Sequence, residues 1–292
     1  MSRFTFPDAP GDLIGAHIST QGGLHTVFER AGAIKATALA LFAKNSNQWK
    51  GKTLTAEAIA EFNEKRTVRP IVTHASYLIN LATTNPAFLE KSIAAMIDEL
   101  DRAERLGIHA VVLHPGAHLG AGPDSGLDQI ARSLDQVHAA IPDHRVVTLL
   151  ETAAGQGSCL GCTFEELGRV MSLVDDKRRV GICIDTCHVF AAGYDIRTRE
   201  GYERMIDEVE QHVGAANVGA FHINDSKREL GSRVDRHEHI GKGQLGLDAF
   251  SFVVNDSRFK RIPKLIETPK TVDTVSDRKN LKLLRSLLGP SS

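Results

Sequence analysis

The run VVTLLETA, residues 146–153, sets apolar and β-branched residues directly in front of a carboxylate, Glu151, and reads as a buried strand that ends in an acid. The same pattern recurs along the chain. RPIVTHASY (69–77) reaches His74, AVVLHPGA (110–117) reaches His114, VGICIDTCH (180–188) reaches Asp185, VGAFHIND (218–225) reaches His222 and PKLIETP (263–269) reaches Glu267. With DLIGAHI (12–18) and ALALFAK (38–44), eight strands are expected, and helical stretches separate them. In PAFLEKSIAAMIDELDRAERLG (86–107), Leu89, Ile93, Met96, Ile97 and Leu100 recur at three- and four-residue steps, and Gly107 closes the pattern. Strand and helix in regular alternation imply a parallel sheet covered by helices, and eight units favour a closed (β/α)8 TIM barrel over an open sheet. The six polar strand ends lie 40, 37, 34, 37 and 45 residues apart, one βα unit each. A closed barrel therefore brings them to one C-terminal rim, where such barrels carry their active sites.

Composition sets the outer bounds. The chain has 292 residues, 42% hydrophobic and 24% charged, with 25 Gly, which suits a soluble globular protein and excludes disorder, collagen and coiled coil. One barrel takes roughly 250 residues, and no linker or low-complexity segment interrupts the chain. Residues 1–292 are thus expected to form a single barrel domain, with the GPSS tail frayed. No apolar run approaches the roughly 18 residues of a membrane span, and MSRFTFPDAP lacks a signal-type apolar stretch, so a cytoplasmic protein without membrane contact is expected. No obligate protein partner is evident. Thirty-five basic against 36 acidic residues give a formal charge of −1, which disfavours a polyanionic partner unless metal ions alter the balance. Cys159, Cys162, Cys183 and Cys187 invite a four-thiolate zinc reading. Cys183, inside an apolar run, reads better as a small buried thiol.

Thirteen His in a chain with one Trp and three Tyr point toward metal binding or base chemistry. A single strand-end His is more often a hydrogen-bonded structural group. Six converging polar groups reverse that preference, because burying several carboxylates together is costly unless cations neutralise them. Two clusters extend the set: DTCH adds His188 three residues after Asp185, and VDRHEH adds Asp235 and His237, which an extended loop would direct to one side. The second cluster lies in NDSKRELGSRVDRHEHIGKGQLG (224–246), read as an irregular active-site loop on the same rim. Five imidazoles and four carboxylates exceed what one ion needs and fit two or three ions such as Zn²⁺ or Mn²⁺.

At these residues the sequence resembles the endonuclease IV family of zinc-dependent abasic-site DNA endonucleases. The matching stretches are GAHIS (15–19), LFAKNSNQW (41–49), HASYLINLA (74–82), LHPGAHLG (113–120), ETAAGQGS (151–158), GICIDTCHVFAAGYD (181–195), HINDSK (222–227), GSRVDRHEHIGKG (231–243) and IETP (266–269). The resemblance implies a (β/α)8 barrel with three Zn²⁺. His74 and His114 would hold the first, bridged by Glu151 to the second; Asp185, His222 and Glu267 would complete the second; His188, Asp235 and His237 would hold the third. Such a site suits phosphodiester hydrolysis, since Zn²⁺ lowers the pKa of bound water to about 7. Glu151 is accordingly the expected catalytic carboxylate.

By the same resemblance, the substrate is double-stranded DNA with abasic sites or blocked 3′ ends, cut 5′ to the lesion to leave a 3′-hydroxyl and a 5′-deoxyribose phosphate. Tyr77, Leu78 and the Asn45 to Trp49 stretch, with Asn47 and Trp49, would enter the duplex. Gln156, Lys227 and Arg233 would contact the backbone. Lys44, Lys50, Arg228, Arg236 and Lys242 are further candidates for flanking phosphates, and three Zn²⁺ would turn the formal charge from −1 to +5. The chain departs from the family pattern at Asn47, where a longer and often basic residue is usual, and at Ala75, where Asp is usual. His17, which ends the first strand near the metals, and His239, beside His237, fall outside the ligand set. The alternative is a metal-dependent sugar isomerase or epimerase on a related barrel.

Overall fold

A computed structural model describes Phe4 and residues 11–270 and 274–289; Pro290, Ser291 and Ser292 of the tail expected to fray lie outside the described residues. The strands are β1 (Ile14–His17), β2 (Ala38–Leu41), β3 (Ile71–His74), β4 (Ala110–Leu113), β5 (Val147–Glu151), β6 (Val180–Asp185) and β7 (Val218–His222), then the short β8 (Asp225–Ser226) and β9 (His237–Glu238), and finally β10 (Lys264–Ile266). Seven of the eight barrel strands pair in chain order and in parallel, and β10 closes the barrel between β7 and β1. This is the expected (β/α)8 barrel, with one addition. The stretch 224–246, read as irregular, contains an antiparallel ribbon in which Asp225 pairs with Glu238 and Ser226 with His237. Two-residue strands are too short to leave a periodic trace in sequence.

Helices pack outside the barrel: α1 (Thr26–Ala33), α2 (Ala56–Glu64), α3 (Pro86–Arg105), α4 (Pro123–Ala140), α5 (Phe164–Leu173), α6 (Thr186–Ala192), α7 (Arg199–His212), α8 (Leu247–Asn255) and α9 (Val275–Ser286). The local reasons are visible in α3. Asn85 Oδ1 accepts the Phe88 N–H at 3.1 Å, a cap contributing about 1 kcal/mol, and Pro86 occupies the first turn, where its missing N–H costs nothing. Gly107 ends the pattern at φ +62°, a backbone angle that favours glycine. Between those ends Met96, Leu100 and Ala103 are buried.

Alternation along the strands decides what reaches the rim. Ala38, Ala40, Val72, Val112, Leu149, Cys183, Ala220 and Leu265 form one buried cluster inside the barrel. Their neighbours Leu39, Ile71, Val111, Leu150, Ile184 and Ile266 belong to the larger cluster beneath the helices. Interior residues are mostly small because the strands converge on a narrow axis. A Cβ on Gly15 would sit 1.7 Å from the Ala38 carbonyl oxygen, so no larger residue fits there. Between β6 and β7 the register shifts: Ile182 pairs with Val218 but Cys183 pairs with Ala220. The extra residue, Gly219, keeps Ala220 and His222 facing inward.

One cation is buried near the opposite end of the strands. Lys264, the first residue of β10, is 3% exposed and donates from Nζ to the carbonyls of Phe259 (2.7 Å) and Ile262 (3.1 Å). Burial lowers its pKa to about 8. Below pH 8 both folded and unfolded chains hold the proton, so the fold carries the whole desolvation cost. From about 8 to the ordinary 10.5 the folded state releases it first, and stability rises by up to about 3 kcal/mol. Urea unfolding at pH 7.5 and pH 10 should therefore show the protein gaining on Lys264→Met by about 2 kcal/mol, the part of that rise reached by pH 10. A difference that does not change with pH would mean the ammonium is not desolvated.

Candidate functional site

Each barrel strand delivers its next inward-facing position to the mouth, and those positions carry His17, Phe42, His74, His114, Glu151, Asp185, His222 and Glu267. The six strand-end residues expected as ligands share this mouth, together with His17, left outside the ligand set, and Phe42. Glu151 and Asp185 are fully buried, and His74 and His222 nearly so. Glu151 spans the cluster: Oε2 lies 3.2 Å from His74 Nε2 and 3.5 Å from His114 Nε2, while Oε1 lies 2.7 Å from His222 Nδ1. Glu267 Oε2 is 3.3 Å from the same His222 nitrogen.

The remaining candidates arrive from the loops. Asp185 caps α6, its Oδ1 accepting the N–H groups of Cys187 (2.7 Å) and His188 (3.0 Å), so one carboxylate starts the helix that carries His188 back to the rim. The β8–β9 ribbon presents Asp235 and His237 to one side, with Oδ1 to Nε2 at 3.3 Å. Asp235 Oδ2 is 3.1 Å from His188 Nε2, and Asp185 Oδ2 is 3.6 Å from His237 Nε2. All nine residues thus fall into mutually adjacent groups. Glu151 stands with His74 and His114, and again with Asp185, His222 and Glu267; His188 and His237 stand beside Asp185, and Asp235 beside His237. None of the groups of three or more potential ligands among the described residues holds two thiols, so the four-cysteine reading has no support.

Main-chain carbonyls fix the tautomers. Nδ1 of His74 meets the Ala75 carbonyl at 2.7 Å, that of His188 the Thr152 carbonyl at 2.7 Å, and that of His237 the Glu267 carbonyl at 3.2 Å. Since a carbonyl can only accept, Nδ1 carries the hydrogen in each and a neutral ring turns its Nε2 lone pair toward the carboxylates. Nε2 of His188 and of His237 is buried without an aligned hydrogen bond. Lone pairs facing carboxylate oxygens at such distances repel unless a proton or a cation lies between them. Divalent cations therefore fit this donor set, and the carbonyls are the outer partners that orient imidazole ligands.

Protonation follows from the same crowding. Burial pulls His188 down, but Asp185, Asp235 and Glu151 outweigh it and push it up to about 10. His74 is raised despite burial, chiefly by Glu151, and His222 well raised, by Cys183, Glu267 and Glu151. Burial pushes Glu151 up, but His222, His114 and His74 hold it well below the usual carboxylate range. His114 differs: burial, with His74 and His188 nearby, lowers it to about 4 against the pull of Glu151.

Two supporting residues, Asn224 and Thr152, escaped the sequence reading, and a third, His17, was placed near the ligands without its partner. His17 Nδ1 meets Glu267 Oε1 at 2.9 Å, with its ring 4.4 Å from that of Phe42. Asn224 donates to Asp185 Oδ2 (2.6 Å) and accepts the Glu267 N–H (2.7 Å), tying the ends of β6 and β10. Thr152 Oγ1 accepts the Asp185 N–H at 2.9 Å. Inward alternation along β1 marks His17; Asn224 and Thr152 leave no such signal.

The loop candidates divide. Tyr77 is 56% exposed and leans over His74 and His114, ring centres 5.3 and 5.9 Å away. Asn47, Gln156, Lys227 and Arg233 are exposed and Leu78 is half-buried. Arg233 takes a left-handed backbone (φ +55°) and lies along the Gly155 turn, next to Gln156. Trp49 instead packs edge-on against Phe88 of α3, centres 5.3 Å apart. Lys44 corrects an expectation: its side chain is 1% exposed and paired with Asp98, so it cannot reach a phosphate. Ala75 is buried in the core.

Similarity to known proteins converges on one group. A family model described as xylose isomerase-like TIM barrel matches residues 28–287. A protein named probable endonuclease 4 from Chloroflexus aurantiacus is 48% identical over 277 residues, covering 94% of this chain and 97% of the relative. The chain belongs to the endonuclease IV family. A second endonuclease IV relative, from Geobacter sulfurreducens, is 45% identical over 280 residues and 95% of both chains. The crystal structure of endonuclease IV from Thermus thermophilus superposes with a TM-score of 0.83 at 34% identity, over 94% of this chain and 98% of that one. A D-tagatose 3-epimerase-like protein, at 20% identity and a TM-score of 0.70 over 94% of this chain and 96% of its own, shares the fold alone. Membership in the endonuclease IV family makes the chain a nuclease, and the clustered groups fit metal binding. No helix among the described residues is long and apolar enough to cross a membrane.

The His17–Glu267 contact is the most exposed to test. His17→Ala should leave secondary structure intact yet weaken retention of a bound divalent metal against a chelator by about 10- to 100-fold. Unchanged retention would show that Glu267 needs no such support.

Proposed function

We propose that this chain is a DNA repair endonuclease that hydrolyses the phosphodiester 5′ to an abasic site, leaving a 3′-hydroxyl and a 5′-deoxyribose phosphate, and that it also trims blocked 3′ ends. The observation that carries the proposal is the set of imidazole nitrogens and carboxylate oxygens facing one another at a single barrel mouth, with Tyr77 standing half-exposed above them. His74, His114 and Glu151 would hold one Zn²⁺; Glu151, Asp185, His222 and Glu267 a second; His188, Asp235 and His237 a third. Mn²⁺ is compatible with the same oxygen and imidazole donors. When bound, the ions supply Lewis acidity, making hydroxide available at neutral pH and neutralising charge on the phosphate.

The chain's own groups do the rest. Glu151, with one oxygen toward His74 and His114 and the other toward His222, would contribute to both of the first two sites. Tyr77 and Leu78, with exposed Asn47 nearby in the β2 loop, would fill the stack where a base is missing; an abasic nucleotide costs less to extrude than a paired one. Trp49, braced on Phe88, would support that loop rather than lead it. Gln156, Arg233 and Lys227 would contact the backbone, together with exposed Lys50, Arg228, Arg236 and Lys242. The sugar-epimerase reading shares only the fold and assigns no task to Asp235 and His237.

A duplex with one abasic site should be cut by the metal-loaded protein, with the end groups stated above, and left whole after prolonged chelation; simple sugars should be untouched. Metal analysis should find close to three ions per chain, and one tightly bound ion would contradict the grouping. Glu151→Gln should lose at least about a hundredfold in turnover, since it removes a charge shared by two sites; near-normal turnover would remove it from the mechanism. Tyr77→Ala should lower the preference for abasic over intact duplex with zinc content unchanged, whereas parallel loss of zinc would make the ring structural.

A further inference from the structure

Beneath the rim, the β2 and β3 loops share one buried ionic anchor. Lys44 leaves β2 and turns its side chain under the loop, where Nζ donates to Asp98 Oδ2 (2.8 Å), the Ala95 carbonyl (3.3 Å) and the Trp49 carbonyl (3.4 Å), with Glu99 Oε1 at 3.5 Å. Glu99, on the buried face of α3, is 1% exposed, and the same Oε1 accepts the Ser76 N–H at 3.0 Å. Ser76 Oγ in turn donates to the Ser46 carbonyl at 2.6 Å. Helix, lysine and both loops thus form one circuit, closed on the residue between Ala75 and Tyr77.

A buried carboxylate and ammonium are costly to desolvate, and apolar residues of similar volume would usually serve stability as well. Such a pair supplies geometry: an acceptor oxygen at a fixed point on a rigid helix, holding a loop N–H that no strand ladder holds. Asp98 also takes Arg102 Nε at 2.9 Å, and Arg102 donates to the Lys52 carbonyl at 2.7 Å, so the far end of the β2 loop is tied to the same helix.

We propose that Glu99, with Lys44, is a positioning residue that sets the β2 and β3 loops in register, so that Tyr77 and the 45–49 stretch meet the duplex as one pre-formed edge. The arrangement of the loops stands on the contacts above; its service to lesion recognition rests on the repair reading. Glu99 touches neither the proposed ions nor the phosphate and acts through Ser76.

The test compares Glu99→Ala with Glu99→Gln, which keeps an oxygen for the Ser76 N–H. In the zinc-loaded protein, amide hydrogen exchange should quicken in both 44–49 and 75–80 for Glu99→Ala and stay near the parent for Glu99→Gln. On DNA, Glu99→Ala should lose about tenfold or more in kcat/KM on abasic duplex, mostly through KM, with zinc content unchanged, and Glu99→Gln should restore most of it. Should Glu99→Ala fail to fold, Ser76→Ala cuts the Ser46 link, together with the Leu78 N–H bond to the same hydroxyl (3.3 Å), and should loosen 44–49 while leaving Glu99 and Lys44 in place. Exchange and KM at parental values in the folded variants would overturn the proposal. A parent protein that does not cut abasic duplex would overturn the repair reading instead, and the exchange result would still decide whether Glu99 couples the loops.

Discussion

Carboxylates brought together out of water repel one another, and every feature of the barrel mouth answers that repulsion. Glu151 and Asp185 are fully buried and Glu267 partly so, within reach of one another through His222. Without compensation each buried charge costs several kcal/mol. Imidazoles supply the compensation by holding protons that their ordinary pKa would have them give up, His188 up to about 10 among them. Divalent cations would take over that role and release those protons, so metal affinity and acidity are linked through the same residues. The fold tolerates the arrangement because the parallel barrel beneath is continuous, apolar and closed.

Strand alternation made most of this visible in the sequence. A parallel strand buried on both faces shows no polar periodicity, so the first polar residue after an apolar run marks the rim, and six such residues located the cavity. His17 obeys the same rule in DLIGAHI, two residues beyond Gly15. Treating it as a neighbour of the ligands separated it from the carboxylate it holds. What alternation could not reveal was support lying off the strands. Asn224 and Thr152 act through positions one or two residues past a strand end, where direction depends on the turn. The β8–β9 ribbon was hidden because two-residue pairings have no pattern of their own.

Lysine was the other blind spot. Lys44, Lys50 and Lys227 look alike in sequence, yet Lys50 and Lys227 are exposed while Lys44 lies beneath the loop against two carboxylates of α3. Nothing local separates them, because Asp98 and Glu99 are more than fifty residues away. Trp49 posed a milder version of the problem: a rim-loop aromatic serves packing or recognition according to its neighbour, here Phe88 on the same helix.

The distribution of support suggests why one barrel serves both sugar epimerases and nucleases. Strand ends are fixed by the barrel's own ladder, and likeness at that level shows fold alone. Loops have no ladder, and whatever they recognise must be held from elsewhere. In this chain the hold comes from α3 through Glu99 and Lys44 on one side, and on the other from the ribbon that sets Asp235 and His237 against Asp185 and His188. A long, stiff polymer cannot close around its enzyme as a small sugar is closed upon, so a pre-formed rim avoids ordering costs at each encounter. On that argument, what distinguishes a nuclease of this fold lies in how the loops are braced as much as in what they carry.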